Sequence, residues 1–215
     1  MINMRLLVVD LLAERKAFGK EGVREIASHF DNPDIFLWSP HTKQRTDYGF
    51  GTVIDQPVDC DFIVVTGSRS NVSDWQPWMD DVAELIRSAE VPIIGICFGH
   101  QIIAAAFGGK VIRAKEGSHF VSPVTYLDGK QVNAVFTHQD HVIDAGELEV
   151  IASADHCSIA ACVHPTRPIT TVQYHPEATS RILSEAIKSG DMTRQEAAVF
   201  DMSKPLINVS DSLLT

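Results

Sequence analysis

The chain has 215 residues, 45% of them hydrophobic and 21% charged, a balance that lets an ordinary soluble globular protein bury one sizeable core. A formal net charge of −10, with no block rich in lysine and arginine, argues against nucleic acid or an anionic membrane surface as a partner, because both require a cationic face. The opening "MINMRLLVVDLLAERK" lacks the small-residue cleavage region of a signal peptide, and no stretch approaches the ~18 apolar residues of a membrane span. The cytoplasm is the expected location.

Apolar runs of strand length alternate with amphipathic stretches along the first half. "LLVVD" (6–10) reads as a buried strand, and "GKEGVREIASHF" (19–30) as a helix, with Val23, Ile26, Ala27 and Phe30 at helical spacing. "IFLW" (35–38) and "FIVVT" (62–66) are the second and third strands. "PWMDDVAELIRSA" (77–89) is a helix opened by a first-turn proline, and "PIIGI" (92–96) a fourth strand. Near-continuous apolar strands fit a parallel sheet covered on both faces. The fold class expected is therefore α/β: a single open doubly wound mixed sheet with a mostly parallel core and helices on both faces, flavodoxin-like. The second half ("KVIRA", "VSPVTYL", "QVNAVFT", "LEVIAS", "CSIAACV", "ITTVQYH") is strand-rich, with an Asp-Gly turn signal in "LDGK" (127–130), and adds an antiparallel portion to the same sheet. "TRQE" (193–196) is a capping-box pattern before a short helix. The division expected is a main domain over 1–188 and a C-terminal extension over 189–215, a short helix plus a tail.

"GICFG" (95–99) places Cys97 between two glycines at a strand-to-helix turn, the form of a nucleophile elbow. The helix that follows points its N-terminus at the sulfur, which favours a thiolate. The N–H of Phe98 is placed to donate to an oxyanion. Alone, the pattern leaves a reactive thiol and an inert buried one equally open. A base is supplied by "VQYHPEA" (172–178): His175 ends a strand, Pro176 redirects the chain, and Glu177 is spaced to orient the imidazole. With no C-x-x-C pair, the remaining cysteines (Cys60, Cys157, Cys162) read as small buried hydrophobes in a reducing compartment. His29, His41, His156 and His164 read as packing or surface residues. "THQDHV" (137–142) has no matching ligand set at metal spacing, so a structural loop is expected there and no metal site.

"GICFGHQ" followed by "QYHPE" resembles the class I (triad) glutamine amidotransferases in motif and in order, over the chain up to about residue 188, and "THQDHV" looks most like the stand-alone glutaminase part of GMP synthases. The resemblance implies that Cys97 attacks the side-chain amide of L-glutamine, His175 is the base and Glu177 its orienting carboxylate. It implies an oxyanion hole from Gly67 in "VTGS" and Phe98, and glutamine contacts from Gln101 and from Ser118, His119 and Phe120 in the loop "EGSHFVSP" (116–123). This chain departs from the family at Gly67-Ser68-Arg69, where the family commonly has Gly-Gly-Pro or Gly-Pro. The stretch 39–57 and the tail after Lys188 are not family landmarks.

The function expected is a glutaminase that forms a γ-glutamyl thioester and needs no cofactor. Its ammonia would pass to a separate ATP-dependent synthetase, since no phosphate-cradling glycine-rich loop is present. The alternatives are a γ-glutamyl peptidase or hydrolase with the same triad, and a catalytically idle regulatory relative.

Overall fold

The computed structural model describes residues 3–213. Its strands are β1 (Arg5–Val9), β2 (Asp34–Trp38), β3 (Thr52–Ile54), β4 (Phe62–Val65), β5 (Ile93–Ile96), β6 (Lys110–Tyr126), β7 (Gln131–Asp144), β8 (Glu149–Ala154), β9 (Cys157–Val163) and β10 (Ile169–Val172). Its helices are α1 (Phe18–Ala27), α2 (Pro77–Ser88), α3 (Phe98–Ala106), α4 (Ser180–Ser189), α5 (Arg194–Ala197) and α6 (Val209–Leu213). Among the described residues no helix is long and apolar enough to cross a membrane.

The strands form one sheet in the order β3-β2-β1-β4-β5-β10-β9-β8-β6-β7. The first six run parallel, and β9, β8, β6 and β7 join by antiparallel pairing. This is the mixed sheet with a mostly parallel core that the sequence predicts. Alternation along β1 sorts the core onto its two faces. Leu6 and Val8 pack with Val23 and Ile26 of α1 and with Val209 of α6, whereas Leu7 and Val9 pack with Met79, Val82 and Ile86 of α2 and with Ile102 and Ile103 of α3. Each fully buried aliphatic side chain contributes roughly 1.5–3 kcal/mol.

Two regions differ from expectation. The stretch 39–57 contains β3, a three-residue parallel edge strand on β2, and buries Tyr48. Residues 116–123 and 137–142, expected as loops, lie within β6 and β7, a long hairpin turned at Asp128 and Gly129. The hairpin's register shifts between Arg113 and Ser118, and that bulge lets two long strands twist across the end of the sheet.

The C-terminal stretch is tied to the body. Asp191 accepts from the Ala17 and Phe18 amides, capping α1 with a carboxylate that its own N-cap, an alanine, cannot supply. Phe200 packs with Val135 and Leu183, and Ile207 donates its N–H to the Asn133 carbonyl. The last two residues of the expected tail, 214–215, lie outside the described residues.

The functional consequence lies in the centre of the sheet. β4, β5 and β10 are parallel neighbours, in register Val65↔Gly95 and Ile96↔Val172. The segments leaving their carboxyl ends, Thr66-Gly67, Cys97 and Tyr174-His175, therefore open on one rim, where open α/β sheets bind ligands.

Candidate active site

Cys97 has φ 54° and ψ −100°, a left-handed-side conformation that strains any residue with a Cβ. The strain is held by its neighbours. The Cys97 amide donates to the Val172 carbonyl at 2.8 Å, and α3 starts at the next residue. A Cβ on Gly95 would come within 2.7 Å of the Gly99 carbonyl oxygen, and one on Gly99 would run into the Val65 carbonyl oxygen. Both glycines are thus required for the helix to approach the sheet this closely.

His175 stands beside the thiol. A Cβ on Gly67 would lie 3.0 Å from the imidazole Cε1 and 3.7 Å from Cys97 Cβ, so all three residues meet at one point. His175 donates its main-chain N–H to the Val135 carbonyl at 2.8 Å, and its Nδ1–H to Glu177 Oε1 at 2.8 Å. Its Nε2 hydrogen-bonds the Thr137 hydroxyl at 2.8 Å, and the Cys97 thiol faces the Thr137 carbonyl at 3.8 Å. Burial pushes the imidazole pKa down, but Cys97 and Glu177 act the other way through charge and hydrogen bonding. The balance leaves it well above the ordinary value.

The amides of Gly67 and Phe98 have no acceptor among the described residues; Gly67 packs against Cys97, and Phe98 follows it in the chain. A cleft of about 700 Å³ opens over Cys97 and His175, walled by Arg69, Arg113, His119, Gln139 and the extension residues Met192 and Val199, among others.

Not every predicted contact residue presents its side chain to this cleft. His119 does, and so does Gln101, whose amide donates to the Asp140 carbonyl at 2.9 Å and to Gln173 at 3.1 Å. Ser118 is buried, and Phe120 packs edge-on against His156, so neither lines the cleft. The alternation of β6 separates them from His119, which a loop would not do. His100 is fully buried between the Thr171 hydroxyl and the Ile159 carbonyl, and burial holds it down to about 4; it is a neutral structural histidine. Cys157 and Cys162 are buried with thiols pushed up to about 12 by burial, whereas Cys60 is half-buried, more open than expected.

Three features escaped the sequence. Thr137 reaches His175 only because β7 runs beside β10's exit. Asp140 accepts from the Ser73 amide and hydroxyl at 2.8 and 2.9 Å, pinning the loop after Gly67 to β7. Finally, His138, His141 and Cys157 bring donor atoms within 4.8 Å of one another. No linear spacing announces that group, because β7 and the start of β9 are joined only by the sheet.

The model of the glutamine amidotransferase class-I family matches residues 40–189, more than half of the chain, and the chain belongs to that family. It is similar to the glutamine-hydrolyzing GMP synthase subunit of Methanocaldococcus jannaschii, 38% identical over 104 residues, which cover 44% of this chain and 55% of that protein. The corresponding protein of Methanosarcina acetivorans is 35% identical over 105 residues, 45% of this chain and 56% of that protein. The matched part spans about half the length of these relatives. A glutamine amidotransferase of Thermotoga maritima has the same fold, with a TM-score of 0.72 over 93% of this chain and 87% of that one, at 16% identity. A second, from Methylobacillus flagellatus, gives 0.68 over 99% and 86%, at 18% identity.

Proposed function

We propose that the protein hydrolyses the side-chain amide of L-glutamine through Cys97, His175 and Glu177. The observation that carries this reading is the single meeting point of the strained Cys97, the Glu177-bound imidazole and the Gly67 turn. The Cys97 thiolate attacks the γ-carbonyl carbon, and the carbonyl π pair moves to oxygen. The Gly67 and Phe98 amides receive that oxyanion. As the carbon–nitrogen bond breaks, the His175 imidazolium gives its proton to the leaving nitrogen, releasing ammonia and a γ-glutamyl thioester. The neutral imidazole then takes a proton from water, which attacks the thioester carbonyl; the carbon–sulfur bond breaks, freeing glutamate and returning the Cys97 thiolate beside the His175 imidazolium. Glu177 holds the ring and supports its cationic form throughout.

The ammonia passes, in this reading, to a separate ATP-dependent synthetase. The similarity to proteins named as glutamine-hydrolyzing GMP synthase subunits supports it. A second reading keeps the triad and enlarges the substrate to a γ-glutamyl peptide or other γ-glutamyl amide; a cleft of about 700 Å³ is within the range of drug-sized ligands and has room for a larger leaving amine.

The test is mass spectrometry after incubation with a glutamine-analogue diazo-ketone. An adduct on Cys97 that is absent from Cys97→Ala is expected; an unlabelled native protein would remove the enzyme reading and leave the idle relative. Turnover of glutamine against γ-glutamyl peptides then separates the two substrates.

A further inference from the structure

Behind the proposed catalytic residues lies a second cluster, composed of imidazoles and a thiol. One donor atom each from His138, His141 and Cys157 falls within 4.8 Å of the others. Their rings are close: 4.5 Å between the centroids of His138 and His141, and 6.0 Å between His138 and His156, the residue before Cys157.

An internal histidine cluster of this kind normally has its nitrogens satisfied by protein acceptors. Here they are not. His138 is 6% exposed and its Nδ1 donates to the Asp140 carbonyl at 2.9 Å. A carbonyl can only accept, so that bond fixes the tautomer and leaves the lone pair on Nε2, which is buried and has no partner. His156 Nε2 is likewise buried and unpartnered. A histidine whose one nitrogen is held by a backbone carbonyl while the other presents its lone pair is how proteins prepare a metal ligand. Cys157, 1% exposed, contributes sulfur, its thiol directed at the Ile159 carbonyl at 3.3 Å. His141 is half-buried, which leaves a way in from solvent.

We propose that His138, His141 and Cys157 bind a borderline-soft divalent cation of the zinc class, with His156 beside the remaining coordination position. Two imidazoles and one thiolate are a donor set that excludes magnesium and calcium, which take oxygen ligands. Tetrahedral zinc with bonds of about 2.0–2.3 Å puts its ligand atoms about 3.3–3.8 Å apart, a spacing that side-chain shifts of about 1 Å at His141 and Cys157 would reach. The bond to sulfur forms as the Cys157 thiol loses its proton to water, so binding releases one proton. Because Thr137, next to His138, touches both His175 Nε2 and the Cys97 thiol, occupancy would be felt at the rim.

The inference does not depend on the glutaminase reading, and its test avoids the proposed nucleophile. Cys97→Ala protein is titrated with Co²⁺ and followed by absorption. One equivalent is expected to give a sulfur-to-cobalt charge-transfer band in the near ultraviolet and intense tetrahedral d–d bands, both removed by added Zn²⁺. The Cys97→Ala, Cys157→Ser double variant should lose the charge-transfer band. The Cys97→Ala, His141→Ala double variant, changed at the least buried of the three ligands, should bind at least about tenfold more weakly. Absence of the band in Cys97→Ala, its persistence without Cys157, or unchanged affinity without His141 would each overturn the assignment. If the Cys157→Ser change prevents folding, the His141→Ala result decides alone.

Discussion

Glu177 allows orientation and charge to be separated at the proposed base. Its Oε1 accepts the His175 Nδ1–H at 2.8 Å, while Oε2 is buried without a partner. Glu177→Gln preserves reach and shape: the amide oxygen still accepts from Nδ1, and the amide NH₂ occupies the place of Oε2. The charge beside the imidazole goes. A hydrogen bond to a charged group contributes about 1.5–3 kcal/mol and a neutral one about 0.5–1.5 kcal/mol, so the change removes roughly 1–1.5 kcal/mol of support for the imidazolium. At 1.36 kcal/mol per unit, that lowers the His175 pKa by about one unit and slows acylation about tenfold. The carboxylate raises the pKa of a group that is cationic when protonated, so its loss moves the alkaline limb of the rate profile to lower pH. Glu177→Ala also frees the ring and should cost more. His175→Ala removes the base and should cost about 10²–10⁴-fold. The assay is the pH dependence of Cys97 alkylation by the diazo-ketone, read by mass. Superimposable profiles for the native protein and Glu177→Gln would refute the charge argument, and near-native labelling of His175→Ala would refute the base.

Other consequences follow from packing and burial. Burial lifts Asp10 from 3.8 to about 6, outweighing the hydrogen bond it accepts from the Leu12 amide. Its folded pKa exceeds its unfolded one, so the folded state holds the extra proton and stability falls as pH rises from about 4 to 6, by ~3 kcal/mol from this group. Asp10→Asn should flatten that part of a urea-midpoint profile against pH; an unchanged slope would show that the carboxyl is not the source. Gly99→Ala drives a methyl into the backbone of β4, and overpacking of about 1–3 kcal/mol should lower the melting temperature by about 2–4 °C for each kcal/mol. A stable, fully labelled Gly99→Ala protein would contradict the elbow packing. Phe200→Ala should cost about 3 kcal/mol in denaturant and widen the cleft it lines, raising KM for glutamine more than it lowers kcat. Equal KM values would separate the extension from substrate binding.

What the sequence revealed, and what it hid, divides along the range of the forces involved. The elbow was legible because Gly95, Cys97 and Gly99 answer local constraints: a positive φ and two close backbone approaches are written into five consecutive residues. His175 and Glu177 were legible as a pair because both sit within one turn leaving β10. The parallel core showed in the unbroken apolar runs of β1, β4 and β5. The hairpin was legible only in parts, since polar residues such as Gln139 and Asp140 look like loop chemistry, yet both line the cleft and Asp140 pairs with Arg113 across the strands. Thr137 could not be found at all. Nothing in "FTHQD" records that β7 passes beside a histidine 38 residues later.

That omission matters because β7 proves to be the frame of the site. Its Val135 carbonyl holds the His175 backbone, its Thr137 hydroxyl holds the His175 ring, and its Asp140 holds both Ser73 and, through the main-chain oxygen, Gln101. The loop after β4, the helix after the nucleophile and the segment after β10 are three separate pieces of chain, and each is bonded to the same strand. A displacement of β7 by a fraction of an ångström therefore reaches the proposed oxyanion loop, nucleophile helix and base together. Hydrogen bonds weaken steeply with distance and angle, so such a shift need not disturb the core to alter the chemistry. A partner protein docked on the hairpin, or a cation held by His138 and His141, would act through this one element.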